Sequence, residues 1–589
     1  MPVPLVQALK GYSRSHFVSD LVAGCVTAFI AVPQTMAYAQ LAGLPAEYGL
    51  YSSLLPLICY ALFGSSRTLV VGPAALISLM IASAIGQLAP ATPEAYMQIS
   101  VNLAMLVGLI LMAMSALRLG SFAKLISSPV ITGFTSASAL IIAASQLNLV
   151  LGVKGEKGAT FIDTLVRLPG SLASANTTVI LLSVMAFIIL WAGKSLLPLI
   201  ADKLRLPATA AIALNKSGPI LAVVAGTLIV ALLSLNTTNQ VAVLGAIPDS
   251  LPSLSWSLIN FSLWRELALP AFSIALICFL TSISTGSTLA SKDHERVNAN
   301  QELLALGVTN LSSALTGSFA LAGSVSRSMV NYSAGAATQI ANVVSACVVL
   351  ITILFLTPWF YYLPQAVLGA IVIMSVLPMI ALNNLRQRWQ FNKADAISLL
   401  VTFFATLLLG VELGIWAGIA CSIILLLQRA SHPHIAEVGR AKNGYFRNIN
   451  RLDVETLPNT IFLRIDESLY FANVQYVESA IMKRCAKHDG LEHLVLIFSS
   501  VSFVDESALE SLERLIINLK SSGIMLHFSD VKGMVQDKLK LTDIEEKLKP
   551  GQMFYTADEA MTFLKASSYM GHGDTDPNTL VSSPRPSEY

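Results

Sequence analysis

The sequence predicts a polytopic α-helical membrane protein that ends in a small soluble α/β domain. Of its 589 residues, 54% are hydrophobic and only 12% are charged, whereas soluble domains carry about 25% charged residues. Almost all long apolar runs lie before His432. Beyond that residue the chain becomes charged, and strand-like segments alternate with helix-like ones, as in a small sheet covered by helices.

Fourteen apolar runs are the predicted spans. The third and tenth are too short to cross a bilayer of about 30 Å. An even number of crossings returns the C-terminal part to the side on which the chain begins. The runs cover residues 19–42, 49–64, 70–85, 98–117, 125–151, 177–197, 217–235, 268–291, 300–317, 326–338, 340–357, 366–382, 395–411 and 413–428.

The distribution of basic residues favours one orientation of these spans. With the N-terminus inside, most loop Lys and Arg residues face the cytoplasm, which agrees with the positive-inside rule. The outer loops keep few basic residues, such as Arg167 and Arg265. We therefore expect a multi-pass protein of the cell inner (plasma) membrane with both termini in the cytoplasm.

The tenth run contains the stretch AGSVSRSMVN, residues 322–331, whose Arg327 lies among serines. An arginine inside a bilayer is costly, so it should face protein, water or a bound anion. A half-helix that begins inside the membrane offers free N–H groups and a positive dipole end, which suit an anion. The alternative is that Arg327 pairs with a distant carboxylate or with backbone carbonyls and only holds helices together.

The third run contains a comparable stretch, VVGPAALISLM, residues 70–80. Gly72-Pro73 interrupts regular structure, and we expect Pro73 to be the first residue of a new helix. Short, interrupted segments in corresponding halves of a chain indicate an inverted-repeat transporter whose substrate lies between two facing half-helices.

The first span carries polar residues within its apolar run. Pro33 is expected to break the helix, and Gln34 and Tyr38 lie one turn apart on one face. The alternative is a kinked helix in which Gln34 bonds a neighbour. Three acidic residues lie at predicted span ends and are expected at the membrane interface, namely Asp20, Asp395 and Glu412.

Several blocks of the sequence resemble the SulP family of sulfate permeases and related anion exchangers. The clearest is PQTMAYAQLAGLPAEYGLYS, residues 33–52, and further blocks follow in the family's order over nearly the whole chain. These further blocks cover residues 70–80, 127–147, 300–311, 323–339, 360–372 and 410–422.

The resemblance implies two inverted repeats of seven spans, split into a core and a gate domain and followed by a cytoplasmic STAS domain. The apolar runs and the changes in composition set the predicted boundaries, which are an N-terminal segment 1–17, a transmembrane domain 18–430, a STAS domain 431–566 and a disordered tail 567–589. The resemblance also implies a homodimer and an anion site between the third and tenth spans. The residues that match the family's site are Gln34, Tyr38, Ala74, Ala75, Val325, Ser326 and Arg327.

Two departures from the family's pattern bear on the site. Ala74 stands where the family often has Phe, so we expect a wider or wetter pocket. Thr281 stands where many members carry a carboxylate in the eighth span, and no Asp or Glu lies between Pro270 and Lys292. Thr281 and Thr285 are therefore candidate coupling positions without a charge; the alternative is that their hydroxyls bond their own helix.

In the soluble part, the predicted strands are Thr460–Ile465, Leu494–Ser499, Met525–Phe528 and Met553–Tyr555. The predicted helices are Val474–Lys487, Glu506–Lys520 and Ala557–Lys565. This order and the stretch VDESALESL resemble a STAS domain, in which Ser507 matches a phosphorylated serine of anti-sigma-factor antagonists. The alternative is that Ser507 or Asp505 only caps the following helix.

No motif in the chain indicates an enzyme. We find no P-loop, no dinucleotide turn and no cofactor or metal-binding pattern, and nothing points to nucleic acid,. The sequence favours a secondary transporter of small inorganic anions, with sulfate first and bicarbonate, chloride and dicarboxylates open. An anion channel and a regulatory membrane protein remain the rival classes. Expected partners are the anion, the lipid bilayer, a second copy of the chain and cytoplasmic regulators that bind the STAS domain.

Overall fold

The structure is a computed structural model. It describes residues 4–5, 11–121, 127–153, 161–204, 214, 217–248, 250–252, 256–381 and 385–570. The chain divides after Ser422 into two compact units, which are described separately.

Helices dominate the chain up to the soluble part. They are α1 (Arg14–Leu41), α2 (Glu47–Tyr51), α3 (Leu55–Phe63), α4 (Ala75–Leu88), α5 (Pro93–Ala116), α6 (Ser128–Ser145), α7 (Leu147–Leu151), α8 (Phe161–Ala173), α9 (Thr177–Lys203), α10 (Gly218–Leu232), α11 (Leu235–Thr238), α12 (Trp264–Lys292), α13 (Ala299–Leu315), α14 (Val325–Ser333), α15 (Ile340–Ile351), α16 (Gln365–Val376), α17 (Leu385–Phe391), α18 (Lys393–Leu409) and α19 (Val411–Ser431).

The predicted spans are confirmed as helices, and with them the fourteen-span fold. Among the described residues, seven helices are long and apolar enough to cross a membrane, and the third and tenth spans are short as expected. One helix between the fifth and sixth spans, α8, was not predicted. The fourteen spans are α1, α3, α4, α5, α6, α9, α10, α12, α13, α14, α15, α16, α18 and α19.

The spans form two groups that agree with a core and a gate. In the core group, α13 packs against α3 and α5, α12 packs against α5, and α15 packs against α1. In the gate group, α9 packs against α10 and α16, and α6 packs against α18. Each group draws spans from both halves of the chain, as expected for intertwined repeats.

Two short strands, one from each repeat, pair with each other at the centre of the core group. Strand β1 (Val71–Gly72) precedes α4, and β2 (Ala322–Gly323) precedes α14. They pair antiparallel, with Val71 opposite Gly323 and Gly72 opposite Ala322. Because each strand leads directly into a half-helix, this pairing brings the two helix N-termini together.

The second unit contains a mixed six-stranded sheet in the order β4-β3-β5-β6-β7-β8. Its strands are β3 (Ile435–Arg440), β4 (Phe446–Asn448), β5 (Thr460–Ile465), β6 (His493–Ile497), β7 (Met525–Ser529) and β8 (Met553–Phe554). Its helices are α20 (Val474–Cys485), α21 (Glu506–Ser521), α22 (Gly533–Leu539), α23 (Ile544–Leu548) and α24 (Ala557–Met570). Strands β5 to β8 are parallel, and β3 pairs antiparallel with both β4 and β5.

Alternate side chains of the central strands face two separate apolar layers. In β6, Leu494 and Leu496 join the cluster under α20 to α23, whereas Val495 and Ile497 join the cluster under α24. This strict alternation is the period-two pattern of a strand, and it allows helices to cover both faces.

The four predicted strands of this unit are present; Thr460–Ile465 matches at both ends, and the other three differ by one or two residues at one or both ends. Strands β3 and β4 and helices α22 and α23 were missed. The sequence IAEVGR of β3 contains Gly439 and charged residues, so it lacks the strong apolar pattern of a buried strand. Helix α24 continues to Met570, past the tail's predicted start at Ser567, and residues 571–589 lie outside the described residues.

His527 of β7 contacts His493 of β6, and only His527 is fully buried. His527 is 2% exposed, its Nδ1 accepts from the Gln552 N–H at 3.1 Å, and its Nε2 lies 3.1 Å from Nδ1 of His493. Burial, together with repulsion from His493, lowers the pKa of His527 from 6.5 to about 4. The unfolded chain therefore takes up a proton that the folded domain resists, so stability falls as the pH drops from 6.5 towards 4.

We expect this effect to reach about 3 kcal/mol near pH 4. Thermal unfolding of the soluble segment 431–570, which includes the whole of α24, at pH 7 and pH 4.5 would measure it. His527→Asn, whose side-chain oxygen can still accept from Gln552, should reduce the difference between the two melting temperatures. An equal difference in the variant would contradict the role of His527.

Candidate functional site

The N-termini of the two half-helices meet where β1 pairs with β2, and we call this region the crossing. Helix α4 begins at Ala75 after Ala74, and α14 begins at Val325 after Ser324. Neither preceding residue caps its helix with a side-chain hydrogen bond in the described structure. The first N–H groups of both helices are therefore available to a ligand, and both positive dipole ends point to the same region.

The first residues of these helices differ in exposure. Val325 is 62% exposed, Ser326 is also exposed and Ala74 is partly exposed, whereas Ala75 is buried. An open position at the start of a half-helix leaves room for a small ligand against the N–H groups. The predicted Pro73 helix start is wrong by two residues, because Ala74 is still extended, with φ −131° and ψ 137°.

Arg327 lies in the crossing itself. Its side chain is 1% exposed, and its Nη2 donates to the carbonyl of Pro73 at 2.6 Å. Its Nε has no hydrogen-bond partner within the described structure. No carboxylate of the described chain lies within 4.0 Å of the guanidinium. Arg327 therefore binds a backbone carbonyl, and its Nε is a donor without a partner among the described residues. A role of Arg327 in anion binding remains a prediction.

Gly72 makes room for this guanidinium. A Cβ atom added at Gly72 would lie 2.9 Å from Nη1 and 3.0 Å from Nη2 of Arg327. Such distances are too short for unbonded carbon and nitrogen atoms, so only glycine fits the observed arrangement. The glycine thus has a packing role beyond the interruption of regular structure that the sequence indicated.

The polar residues of the first span are buried beside the crossing. Helix α1 continues through Pro33, so the predicted break at Pro33 is wrong. Gln34 is buried, and its Oε1 has no partner in the part of the chain described. Tyr38 donates to Ser375 Oγ of α16 at 3.1 Å, and α1 packs against both half-helices, α4 and α14. The first span therefore links the crossing to the gate group.

The hydroxyl groups of the eighth span bond their own helix. Thr281 Oγ1 donates to the Ile277 carbonyl at 2.8 Å, and Thr285 Oγ1 donates to the Thr281 carbonyl at 2.7 Å. Ser282 does more than this, because its Oγ accepts from the N–H of Gly323 at 2.8 Å. The eighth span thus holds β2 in place through Ser282. The hydroxyl groups of Thr281 and Thr285 are neutral and already donate to carbonyls of their own helix.

Among the described residues of the core group, the carboxylates of Asp20 and Glu302 are fully buried. Asp20 was expected at the interface, but it is 0% exposed and accepts from the Ala337 N–H, from Thr338 and from Tyr12. The prediction failed because Asp20 lies at the end of its apolar run, where solvent was assumed. Glu302 on α13 was not singled out from the sequence, although it is also 0% exposed.

In the second unit, Asp505 is the cap of α21. Its Oδ1 accepts from the Ala508 N–H at 2.8 Å, so of the two residues named as possible caps, Asp505 caps this helix and Ser507 does not. Ser507 lies in the first turn with an exposed side chain. Phosphorylation of Ser507 remains a prediction, and a phosphate there would have access to solvent.

A fourteen-span bundle in which two half-helices from inverted repeats meet at their N-termini defines a class of membrane transporters. The model of the sulfate permease family matches residues 17–402, and that of the STAS domain matches residues 451–560. The chain belongs to the sulfate permease family.

Similar proteins cover nearly the whole chain. "Sulfate transporter 4.1, chloroplastic" of Arabidopsis thaliana is 32% identical over 548 residues, which is 90% of this chain and 77% of the relative. A "Probable sulfate transporter" of Mycobacterium tuberculosis is 31% identical over 568 residues, which is 95% of this chain and 97% of the relative.

Solved structures share the fold. The anion transporter SLC26A9 aligns with a TM-score of 0.85 at 24% identity, over 97% of this chain and 93% of that one. The transmembrane domain of the cyanobacterial bicarbonate transporter BicA aligns with a TM-score of 0.59 at 23% identity, over 70% of this chain and 98% of that one.

Proposed function

We propose that this protein is a secondary transporter of small inorganic anions, with sulfate as its first candidate substrate. The observation that carries the proposal is the crossing, where two uncapped helix N-termini meet beside a buried arginine with an unpartnered Nε. Backbone N–H groups, two dipole ends and a guanidinium together attract a compact anion.

In this proposal each residue of the crossing has a stated role. Arg327 supplies the positive charge, and Ala75, Val325 and Ser326 present first-turn N–H groups, with the Ser326 hydroxyl as a further donor. Gln34 and Tyr38 border the site from the first span, and Ala74 widens it where the family often carries a phenyl ring.

One finding supports sulfate, and another supports bicarbonate as an alternative. The sequence relatives that cover the chain carry sulfate in their names. BicA, which shares the fold, is called a bicarbonate transporter. Bicarbonate is therefore the second candidate, and chloride and dicarboxylates follow, because the proposed donors suit any small anion.

Uptake of radiolabelled sulfate into proteoliposomes tests the proposal directly. Unlabelled sulfate, bicarbonate, chloride and dicarboxylates should compete in an order that reveals the substrate. Saturable uptake that an internal counter-anion stimulates would support a transporter. Flux that neither saturates nor responds to a counter-anion would indicate a channel, and the absence of any anion flux would overturn the proposal.

The same proposal extends to assembly and location. We propose a homodimer in the plasma membrane with both termini in the cytoplasm. Its STAS domain would then meet cytoplasmic regulators. Ser507 is the candidate phosphorylation site, because its hydroxyl is exposed in the first turn of α21.

The eighth span predicts how transport is driven. With Thr281 in place of an acid, no side chain between Pro270 and Lys292 can carry a proton at neutral pH. We expect uptake to follow the anion gradient or anion exchange, because a neutral hydroxyl adds no charge to offset a cation's lost hydration. Uptake under imposed sodium or proton gradients, without internal anion, would measure this.

Concentrative uptake driven by either gradient would contradict that expectation and would direct attention to Asp395 or Glu412. Thr281→Glu should create proton dependence if position 281 is the coupling position. Thr288→Glu is a matched control, because Thr288 lies on the same helix, bonds the Ser284 carbonyl in the same way and is exposed.

A further inference from the structure

The segment before the third span, residues 65–73, is held almost entirely by the second repeat. The carbonyl of Thr68 accepts from Asn331 at 3.1 Å, that of Leu69 accepts from Asn342 at 2.9 Å, and that of Val70 accepts from the Ser324 N–H at 2.9 Å. Further along, β1 pairs with β2, and Pro73 accepts from Arg327.

Glu302 anchors the beginning of this segment. Its Oε1 accepts from the Ser65 N–H at 2.8 Å, the Ser65 hydroxyl at 2.7 Å and the Ser66 N–H at 2.9 Å. Its Oε2 accepts from the Tyr60 hydroxyl at 2.9 Å. The two backbone N–H groups can only donate, and with the two hydroxyl groups they contact both carboxylate oxygens, so the geometry fits an ionised carboxylate,.

This arrangement is unlike a surface ion pair. Arg67, the next residue, forms ion pairs with Asp293 and Glu295 at partly exposed positions. Such exposed pairs contribute about 0–1 kcal/mol. A buried carboxylate with several charge-assisted hydrogen bonds contributes more, and its removal leaves buried N–H groups unpaired.

We infer that Glu302 is a positioning residue for the anion site. Glu302 fixes the position of Ser65 and Ser66, where the segment of residues 65–73 begins. The other end of this segment places Gly72 and the N-terminus of α4 at the crossing. The segment from Ser66 to Ala74 contains no helix of its own, so its path depends on these bonds. This inference rests on the proposed anion transport, because the position of α4 affects function only if the crossing binds the anion.

Glu302→Gln is the informative variant. The glutamine keeps one oxygen for the Ser65 and Ser66 donors, and its amide can donate to Tyr60, so the side chain still fits. The loss of the negative charge weakens three hydrogen bonds and loosens the segment. We expect the apparent KM for sulfate to rise about tenfold while Vmax per folded protein changes less. Tyr60→Phe, which removes one donor and no charge, should have a smaller effect in the same direction.

Glu295→Gln is the matched control. It makes the same chemical change at an exposed carboxylate that bonds the same segment through Arg67, and it should leave KM unchanged. Hydrogen exchange of residues 65–72 provides a second measurement that does not depend on transport. Exchange should become faster in Glu302→Gln than in Glu295→Gln.

The outcomes separate this inference from the proposed function. If the unaltered protein moves no anion, the proposed function fails, and hydrogen exchange still decides whether Glu302 holds the segment. If Glu302→Gln is folded and keeps both the KM and the exchange rates of the unaltered protein, the inference is overturned. A lower melting temperature with unchanged KM would also overturn it, because Glu302 would then be structural only.

Discussion

Arg327→Ala should reduce sulfate uptake to background in proteoliposomes. A hydrogen bond from a charged group contributes about 1.5–3 kcal/mol, so its loss alone weakens anion binding by roughly 10- to 100-fold. The alanine also leaves the Pro73 carbonyl without its donor at 2.6 Å. Uptake must therefore be normalised to folded protein, measured by size-exclusion chromatography and thermal unfolding.

Arg327→Lys is the control for charge. Lysine retains the positive charge but cannot present two N–H groups in a plane, so it should recover part of the affinity. A folded Arg327→Ala variant with normal uptake would show that Arg327 only joins helices and that the anion binds elsewhere.

Gly72→Ala should impair anion binding without removing any polar group. The new Cβ would come within 3.0 Å of two guanidinium nitrogens, so either Arg327 or β1 must move. The pairing of β1 with β2 restrains the backbone, so we expect the guanidinium to shift. Overpacking of this kind costs about 1–3 kcal/mol, and an affinity loss near tenfold would follow.

Gly86→Ala provides the matched comparison. Gly86 lies on the same half-helix α4, and an added Cβ would meet no described atom within 4 Å. That substitution should leave transport intact and stabilise the helix slightly, by about 0.5–1 kcal/mol. If the Gly72→Ala variant also transported sulfate with an unchanged KM, anion binding would not depend on the close packing of Gly72 against Arg327.

The fold and the centre of the candidate site could be predicted because their signals are local. A run too short to span, a Gly-Pro interruption and one arginine among serines are each visible within about ten residues. Two such segments in corresponding halves of the chain predicted that two half-helices face each other, but not that the strands before them pair. Spans such as α5 and α12 were recognised because a run of twenty or more mostly apolar residues is long enough to cross the bilayer as a helix.

The contacts within the site could not be predicted because they join distant parts of the chain. Arg327 and its acceptor Pro73 are 254 positions apart, and Glu302 lies 237 positions from Ser65. Glu302 also begins a span, as Asp395 does, so nothing local marks it as buried. Asp20 was misplaced for the same reason, since its donors come from residues 337 and 338.

The dependence of residues 65–73 on the second repeat has a consequence for synthesis. The ribosome makes this segment well before Ser324, Asn331 and Asn342 exist, so its carbonyls initially lack the partners that they have in the finished protein. Unpaired carbonyls are not tolerated against lipid. We therefore expect the third span to stay in contact with water, the translocon or a chaperone until the tenth span has been made. The two spans would then enter the bundle together.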